Sequence, residues 1–431
     1  TQFTWSQAEQ DPGRMNQWEF PEMLAPGTSV RIPVEFSSSS SFFCCCSTQQ
    51  ASVKYIVDPL SKASFSIHAE FTNVTVTLRS FSNLSDYSVD LGWHEDGIVP
   101  FTIASSGPDL EHFLASGAPA PDWMEDYLQY IGHKQLKDIC LPGSHDSGMS
   151  SAHHGTIFGS AANCKTQILD IKGQLEHGIR YFDIRPIIDR GELHTGHYSN
   201  TGAPGIGWQG AKGQSIVEII QQINIFTASY PHETIFLRIS HAYNANSGYS
   251  DFSEDDWSSL LIKLDQINAL HVESAAGKVR LAEKQVNELA GVSIIVPDGT
   301  PLAERSHQGY YHERDFNLVH DYANTNDLDR MKTDQLQKMD SHAKAGDLFA
   351  ALWILTQSAG NAILQNPSVL KLASHANQFL HDLTSEISAE KPLQAVILDD
   401  ASSNLTASLL PYNLATDQSL AVLGDGGVYE V

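Results

Sequence analysis

A set of titratable side chains stands out because each one closes or follows a short apolar run. They are His145 and Asp146 in LPGSHDSG, Asp183 and Arg185 in RYFDIRP, His194 and His197 in LHTGHYS, His241 in FLRISHAY, Asp321 in LVHDYAN, and Asp399 and Asp400 in AVILDD. Histidines, an arginine and several carboxylates suit cleavage of a phosphate ester without a metal. One imidazole would take the proton of an attacking hydroxyl, a second would protonate the leaving oxygen, and a guanidinium would hold the phosphoryl charge through paired hydrogen bonds. Asp183 and Arg185 flank Ile184, so on a strand both point to one side. Buried together they would form an ion pair in which Asp183 orients Arg185 toward a phosphate. The same pair also suits a purely structural role. A strand-end His-Asp neighbour is, alone, more often a hydrogen-bonded turn. The company of all these residues is what favours chemistry.

Residues so far apart in sequence need a fold that gathers them. Beyond about residue 120, apolar runs end near Asp146, Arg185, His197, His241, Pro297, Tyr322, Thr356 and Asp399, most of them separated by helical periodicity. Eight strands alternating with helices predict an α/β protein with an eight-stranded (β/α)8 TIM barrel, whose strand carboxyl ends converge on one mouth. Ser215 with Glu218 reads as a capping box ahead of Ile216, Ile219, Ile220 and Ile223. Asn366-Pro367 reads as the start of a helix carrying Val369, Leu372, Ala376, Phe379 and Leu383. Gly143, Gly148 and Gly178 are expected at turns and a helix end, and His153 with His154 in a solvated loop.

The first part of the chain has a different period. Alternation in SVRIPVEF, ASFSIHAEFTNVTVTLRSF and YSVDLGW predicts a smaller all-β, sandwich-like domain with SSSSS at 37–41 as a loop. The Ser/Gly/Pro-dense stretch 105–123 reads as a linker. The expected division is 1–120 for the β domain plus linker and 121–431 for the barrel. Trp5, Trp18, Phe20, Phe42 and Phe43 are expected in its core, although SSFFCCCST would be an apolar patch if it is a loop, which suits lipid or glycan binding.

Composition narrows the partners. With 26 Lys and Arg against 51 Asp and Glu, the net charge of −25 argues against nucleic acid and against electrostatic docking to anionic lipid. No apolar stretch reaches the roughly 20 residues of a membrane span. The opening at Thr1 lacks the basic-then-apolar pattern of a signal peptide, and Asn73, Asn83 and Asn404 begin glycosylation sequons. A secreted, extracellular mature form is the expectation, with a cytoplasmic protein as the alternative. Five cysteines, three of them consecutive at 44–46, support neither a disulfide framework nor a zinc site; Cys140 is expected in the core.

LPGSHDSG, then QLEHGIRYFDIRP, then LHTGHYS together resemble the X domain of phosphatidylinositol-specific phospholipase C and its PLC-like phosphodiesterase relatives, over residues 130–400 and most strongly in the first part of that span. The resemblance implies a PLC-like barrel that cleaves phosphatidylinositol or a related inositol phospholipid through a cyclic inositol phosphate. It implies that His145 is the general base, with Asp399 fixing its tautomer. A histidine of the next motif, with Asp146 as partner, would be the general acid; His197 is preferred and His194 held in reserve. It implies phosphate stabilisation by Arg185, and headgroup contacts from Asp321 and Tyr322, with His194 and His241 nearby. Calcium-dependent relatives carry Asn after the first catalytic histidine and an acidic ligand where Arg185 stands, so this pattern resembles the metal-independent branch. No metal and no cofactor is expected. The lysine expected after the fourth strand is replaced by Ser240 and His241, which leaves a glycerophosphodiester-like headgroup or a non-catalytic lipid- or glycan-binding role as alternatives. The expected partners are a phospholipid or inositol-phosphate substrate and a transient membrane surface, for a monomer.

Overall fold

The apolar runs after residue 120 become parallel strands β1 (Leu141–Ser144), β2 (Tyr181–Ile184), β3 (Thr234–Ile239), β4 (Gly291–Val296), β5 (Tyr310–His312), β6 (Leu318–His320), β7 (Leu348–Leu352) and β8 (Ala395–Leu398). The computed structural model describes residues 5–11, 15–24, 30–36, 50–58, 62–70, 73–81, 86–92, 98–105, 113–202, 205–272, 280–306 and 308–415. The strands pair in the order β5-β4-β3-β2-β1-β8-β7-β6, a curled eight-stranded parallel sheet of TIM-barrel type. Its outer strands β5 and β6 share no ladder among the described residues. Every residue of β1, β2, β4 and β8 is buried, as expected of strands covered on both faces. Ile184, Ile220, Leu237, Ile294, Phe349 and Val396 belong to one apolar core that joins the sheet to its helices.

The sequence-based strand count of eight is met with one exchange. The run ending at His197 is not a barrel strand. Glu192–Asn200 pairs antiparallel with Pro186–Asp189 and Trp208–Ser215 in a separate five-stranded sheet. Its polar, glycine-containing sequence lacks the continuous apolar run that a strand covered on both faces requires. The missing barrel strand is β5, whose three residues are too few to show a period.

Helix starts follow local chemistry. The hydroxyl of Ser215 accepts the amide of Glu218 and caps helix Ile216–Ser229, whose Ile216, Ile219, Ile220 and Ile223 are buried. Instead of closing the capping box, the Glu218 carboxylate accepts from Gln222. The helix expected from Asn366-Pro367 is broken into two. Ser368 caps Val369–Asn377, and Leu380–Thr384 follows, with Phe379 between them.

The described residues divide into two compact units, one running to Ala118 and taking in Ala415, the other Pro119–Leu414, so the second unit ends at Leu414 rather than running on as the expected 121–431 span has it. The first is all-β. Strands Met23–Leu24, Trp5–Asp11, Gln50–Asp58, Ala63–Glu70, Asn73–Arg79 and Tyr87–Gly92 form an antiparallel sheet in that order. In Asn73–Arg79 the alternation buries Val74, Val76 and Leu78 and leaves Thr75 and Thr77 half-buried. The pairs Met15–Trp18 with Val34–Phe36, and Ile103–Ser105 with Phe113–Ala115, add two ribbons. Trp18, Tyr55, Phe65, Phe81 and Phe113 share this unit's core, with Phe20 packed against it. Part of the expected linker is therefore strand. The SSSSS loop, Phe42, Phe43, Cys44 to Cys46 and Asn83 lie outside the described residues.

Candidate active site

At the carboxyl end of β1 the chain turns sharply, and the turn residues are fixed by backbone bonds before any side chain acts. The amide of His145 donates to the carbonyl of Leu398 on β8, and that of Ser147 to the carbonyl of Asp183 on β2. Asp146 takes a left-handed conformation with φ of 43°, which aspartate tolerates better than most residues. Gln167, wholly buried, donates to the carbonyls of His145 and Leu398 and accepts from the amide of Ala401. One side chain thus ties together the ends of β1 and β8.

His145 and Asp399 meet on this frame. Nδ1 of His145 lies 2.7 Å from Oδ1 of Asp399, and Nε2 lies 2.7 Å from Nη2 of Arg185. A guanidinium only donates. Nε2 must therefore be the acceptor, and the imidazole proton sits on Nδ1, directed at Asp399. The geometry holds His145 in the tautomer whose lone pair points to the arginine.

Arg185 in turn is anchored from β2. Its Nε donates to Oδ2 of Asp183 at 2.9 Å, as the alternation across Ile184 requires. Asp183 also accepts from the Ser240 hydroxyl at 2.6 Å, from Arg238 Nη1 at 3.5 Å and from the amide of Asp146 at 3.3 Å. Burial alone would raise its carboxyl, but Arg185, Arg238, His145 and Ser240 together hold it well below the usual carboxylate range. Burial would likewise lower the Arg185 guanidinium, and Asp183, Asp146 and Asp399 raise it. The arginine is a fixed cation between carboxylates.

His197 reaches the same place from the antiparallel sheet. Its Nδ1 lies 3.0 Å from Oδ2 of the wholly buried Asp146, and Arg185 Nη1 lies 3.8 Å from that oxygen. Neither contact is a directed hydrogen bond. The approach needs Gly148: a Cβ there would lie 2.3 Å from Cγ2 of Thr195, two residues before His197.

The structure separates the other candidates. His194 pairs with Glu192 at 3.2 Å, away from Asp146. His241 stands beside the cluster with Nδ1 3.1 Å from the Ser240 hydroxyl, and lost hydration plus the Arg185 charge push it down to about 4. Asp321 is engaged by Lys338 at 3.1 Å and Tyr322 is exposed; among the described residues neither makes a hydrogen bond or ion pair to the His145 cluster. Asp400 follows Asp399 with φ of 54°, and burial together with the Asp399 charge pushes it up to about 6. Of the three sequons, that at Asn404 has its Thr406 buried and donating to the carbonyl of His177.

Sequence reasoning passed over Arg238, Glu313, Tyr181, His320 and Gln167. Arg238 on β3 opposes Asp183 in register and pairs with Glu313 at 2.8 Å. The signal was available: a charge inside an apolar run, two residues before Ser240 and so on its side of the strand. The Tyr181 hydroxyl meets Nε2 of His320 at 2.9 Å, and burial pushes His320 down to about 3. No local pattern announces a partner on another strand. Among the described residues, no three His, Cys, Asp or Glu side chains converge as a metal site.

No family model matches the chain. Curated relatives do. The chain is 26% identical over 151 residues to PI-PLC X domain-containing protein 3 of Danio rerio, a match that covers 29% of this chain and 43% of the relative. It is 29% identical over 162 residues to PI-PLC X domain-containing protein 2 of Mus musculus, with 33% and 45% covered. Variant-surface-glycoprotein phospholipase C of Trypanosoma cruzi matches at 24% over 118 residues, covering 21% of this chain and 31% of that one. The chain thus spans less than half the length of the curated relatives it matches. Among solved structures, phosphatidylinositol-specific phospholipase C from Listeria monocytogenes aligns with a TM-score of 0.49 and 18% identity, covering 68% of this chain and 99% of that one. The barrel of this chain resembles the PI-PLC X domain and, with it, the PLC-like phosphodiesterase superfamily.

Proposed function

We propose that the barrel cleaves the phosphodiester of phosphatidylinositol or a related inositol phospholipid, with His145 as general base and His197 as general acid. The observation that carries this reading is the continuous chain Asp399–His145–Arg185–Asp183, with Asp146 between Arg185 and His197. In the first half of the step, the 2-hydroxyl of inositol gives its proton to Nε2 of His145 as its oxygen bonds to phosphorus. The bond from phosphorus to the diacylglycerol oxygen breaks, and that oxygen takes a proton from His197, whose Nδ1 side is held by Asp146. The products are a cyclic inositol phosphate and diacylglycerol. Attack from within the substrate makes orientation a large part of the acceleration. Asp399 stabilises the imidazolium that forms, and Arg185 neutralises charge on the phosphoryl oxygens.

A metal-independent mechanism is part of the proposal, supported by the guanidinium that stands between Asp146 and Asp183. A dication placed there would meet that fixed positive charge. A second reading, a phosphodiesterase for another headgroup, is favoured by Asp321 and Tyr322 lying apart from the cluster. Incubation with phosphatidylinositol in excess chelator tests both. Release of cyclic inositol phosphate is expected. Turnover of glycerophosphodiesters in its place would favour the second reading, and loss of activity on chelation would overturn metal independence.

A further inference from the structure

Arg238 is a second guanidinium beside Asp183, and it takes no part in the proton transfers or phosphoryl contacts proposed for His145, His197 and Arg185. It extends from β3 in register with Asp183 on β2. Among the described residues it pairs with Asp183 and Glu313 and makes no hydrogen bond or ion pair to His145, His197, Asp146 or Asp399. Its side chain is only 18% exposed, and a guanidinium taken out of water is costly unless paired. Glu313, the first residue after β5, offsets that cost: its Oε1 accepts from Nε at 3.0 Å and from Nη2 at 2.8 Å. The remaining nitrogen, Nη1, is thereby set 3.5 Å from Oδ1 of Asp183.

Asp183 divides its two oxygens between two sets of donors. Oδ2 takes Arg185 Nε and the amide of Asp146, whereas Oδ1 takes the Ser240 hydroxyl at 2.6 Å and Arg238. A carboxylate has about four acceptor sites, so this one is filled. The division bears on Arg185, which has Asp183, Asp146 and, through His145, Asp399 around it. Three carboxylates against a single guanidinium leave no net positive charge for a phosphoryl group. A second guanidinium on the far side of Asp183 takes up part of one carboxylate's charge, and donors on both oxygens stop that carboxylate from turning. We infer that Arg238, set by Glu313, is a positioning residue that draws the charge of Asp183 away from Arg185 and so lets Arg185 hold a phosphoryl anion. Arg238 acts through Asp183 and touches no substrate atom. Ser240, two residues on and so on the same side of β3, supplies the other bond to Oδ1. The inference deepens the proposed function, and an anion-binding readout lets the two fail separately.

The experiment is a double-mutant cycle on the full chain, read as affinity for inorganic phosphate by calorimetry and as kcat for phosphatidylinositol. Arg238→Gln keeps a polar side chain and removes the charge. It is expected to weaken phosphate binding and lower kcat by about tenfold, within the range for residues that share a charged partner, and Arg238→Lys is expected to restore most of both. In an Arg185→Met background the same Arg238→Gln change should alter phosphate affinity by less than about twofold, because its route to the anion is gone. Ser240→Ala removes the other donor to Oδ1 while keeping every charge, and it tests the same route should Arg238→Gln not fold. A loss of about threefold is expected from it, again only with Arg185 present. Equal phosphate affinity in the unaltered chain and the folded variant would overturn the inference. Equal losses with and without Arg185 would also overturn it, since Arg238 would then meet the anion itself or serve the fold alone. A chain that shows the coupled loss of phosphate binding yet turns over no phosphodiester would instead refute the proposed function and leave the role of Arg238 standing.

Discussion

Replacing Asp399 by asparagine keeps the shape of the strand end and removes one charge. In the structure Asp399 is buried, and its carboxylate sits 2.7 Å from Nδ1 of His145. When His145 takes a proton in the transition state, that carboxylate faces a full positive charge. A pair of unit charges about 4 Å apart at an effective dielectric near 20 interacts by about 4 kcal/mol, which is about a thousandfold in rate. An asparagine amide would also donate toward Nδ1, so the imidazole proton would move to Nε2 and the lone pair facing Arg185 would be lost. Both effects fall on kcat and spare substrate affinity. The assay is release of cyclic inositol phosphate from phosphatidylinositol in detergent micelles, with circular dichroism to check the fold. A folded Asp399→Asn protein with kcat within tenfold of the unaltered chain would refute the dyad.

Two further outcomes follow from the same geometry. His197→Ala should lose about 10² to 10⁴ in turnover of the natural lipid and recover most of it on a substrate whose leaving group is a nitrophenol, which needs no protonation. His194→Ala should leave both rates nearly unchanged, and an inverted pattern would move the acid role to His194. Asp400, raised to about 6 in the folded protein, favours its protonated form there. Its contribution to stability is therefore fully present below about pH 4 and is lost as pH rises through about 6. Asp400→Asn, which also tolerates the left-handed backbone, should stabilise the protein by up to about 3 kcal/mol at pH 7.5 and by little at pH 4. Equal denaturant midpoints at both pH values, variant against unaltered chain, would contradict this.

Much of the site was legible because the relevant signals are local. An apolar run that ends in HDSG marks a strand end by hydrophobicity alone, and the spacing of Asp183 and Arg185 puts both on one face whatever the rest of the chain does. Other features were hidden because they depend on which strands become neighbours. Arg238 is one more charge in FLRISHAY until β3 pairs with β2 and sets it against Asp183. His320 and Tyr181 lie 139 positions apart and meet through the curl of the sheet. The run around His197 looked like a barrel strand because strand propensity carries no information about pairing partner, and the antiparallel sheet claimed it.

The sequence by itself determined the α/β alternation, the all-β character of the first unit, the acidic balance and the residue types available for phosphate chemistry. These depend on period and composition, which are properties of neighbours along the chain. Tertiary structure decided which of two nearby histidines faces Asp146, which tautomer His145 adopts, and that Asp321 turns to Lys338. Each of those outcomes is a distance between residues that are not neighbours along the chain, and only the folded protein supplies it.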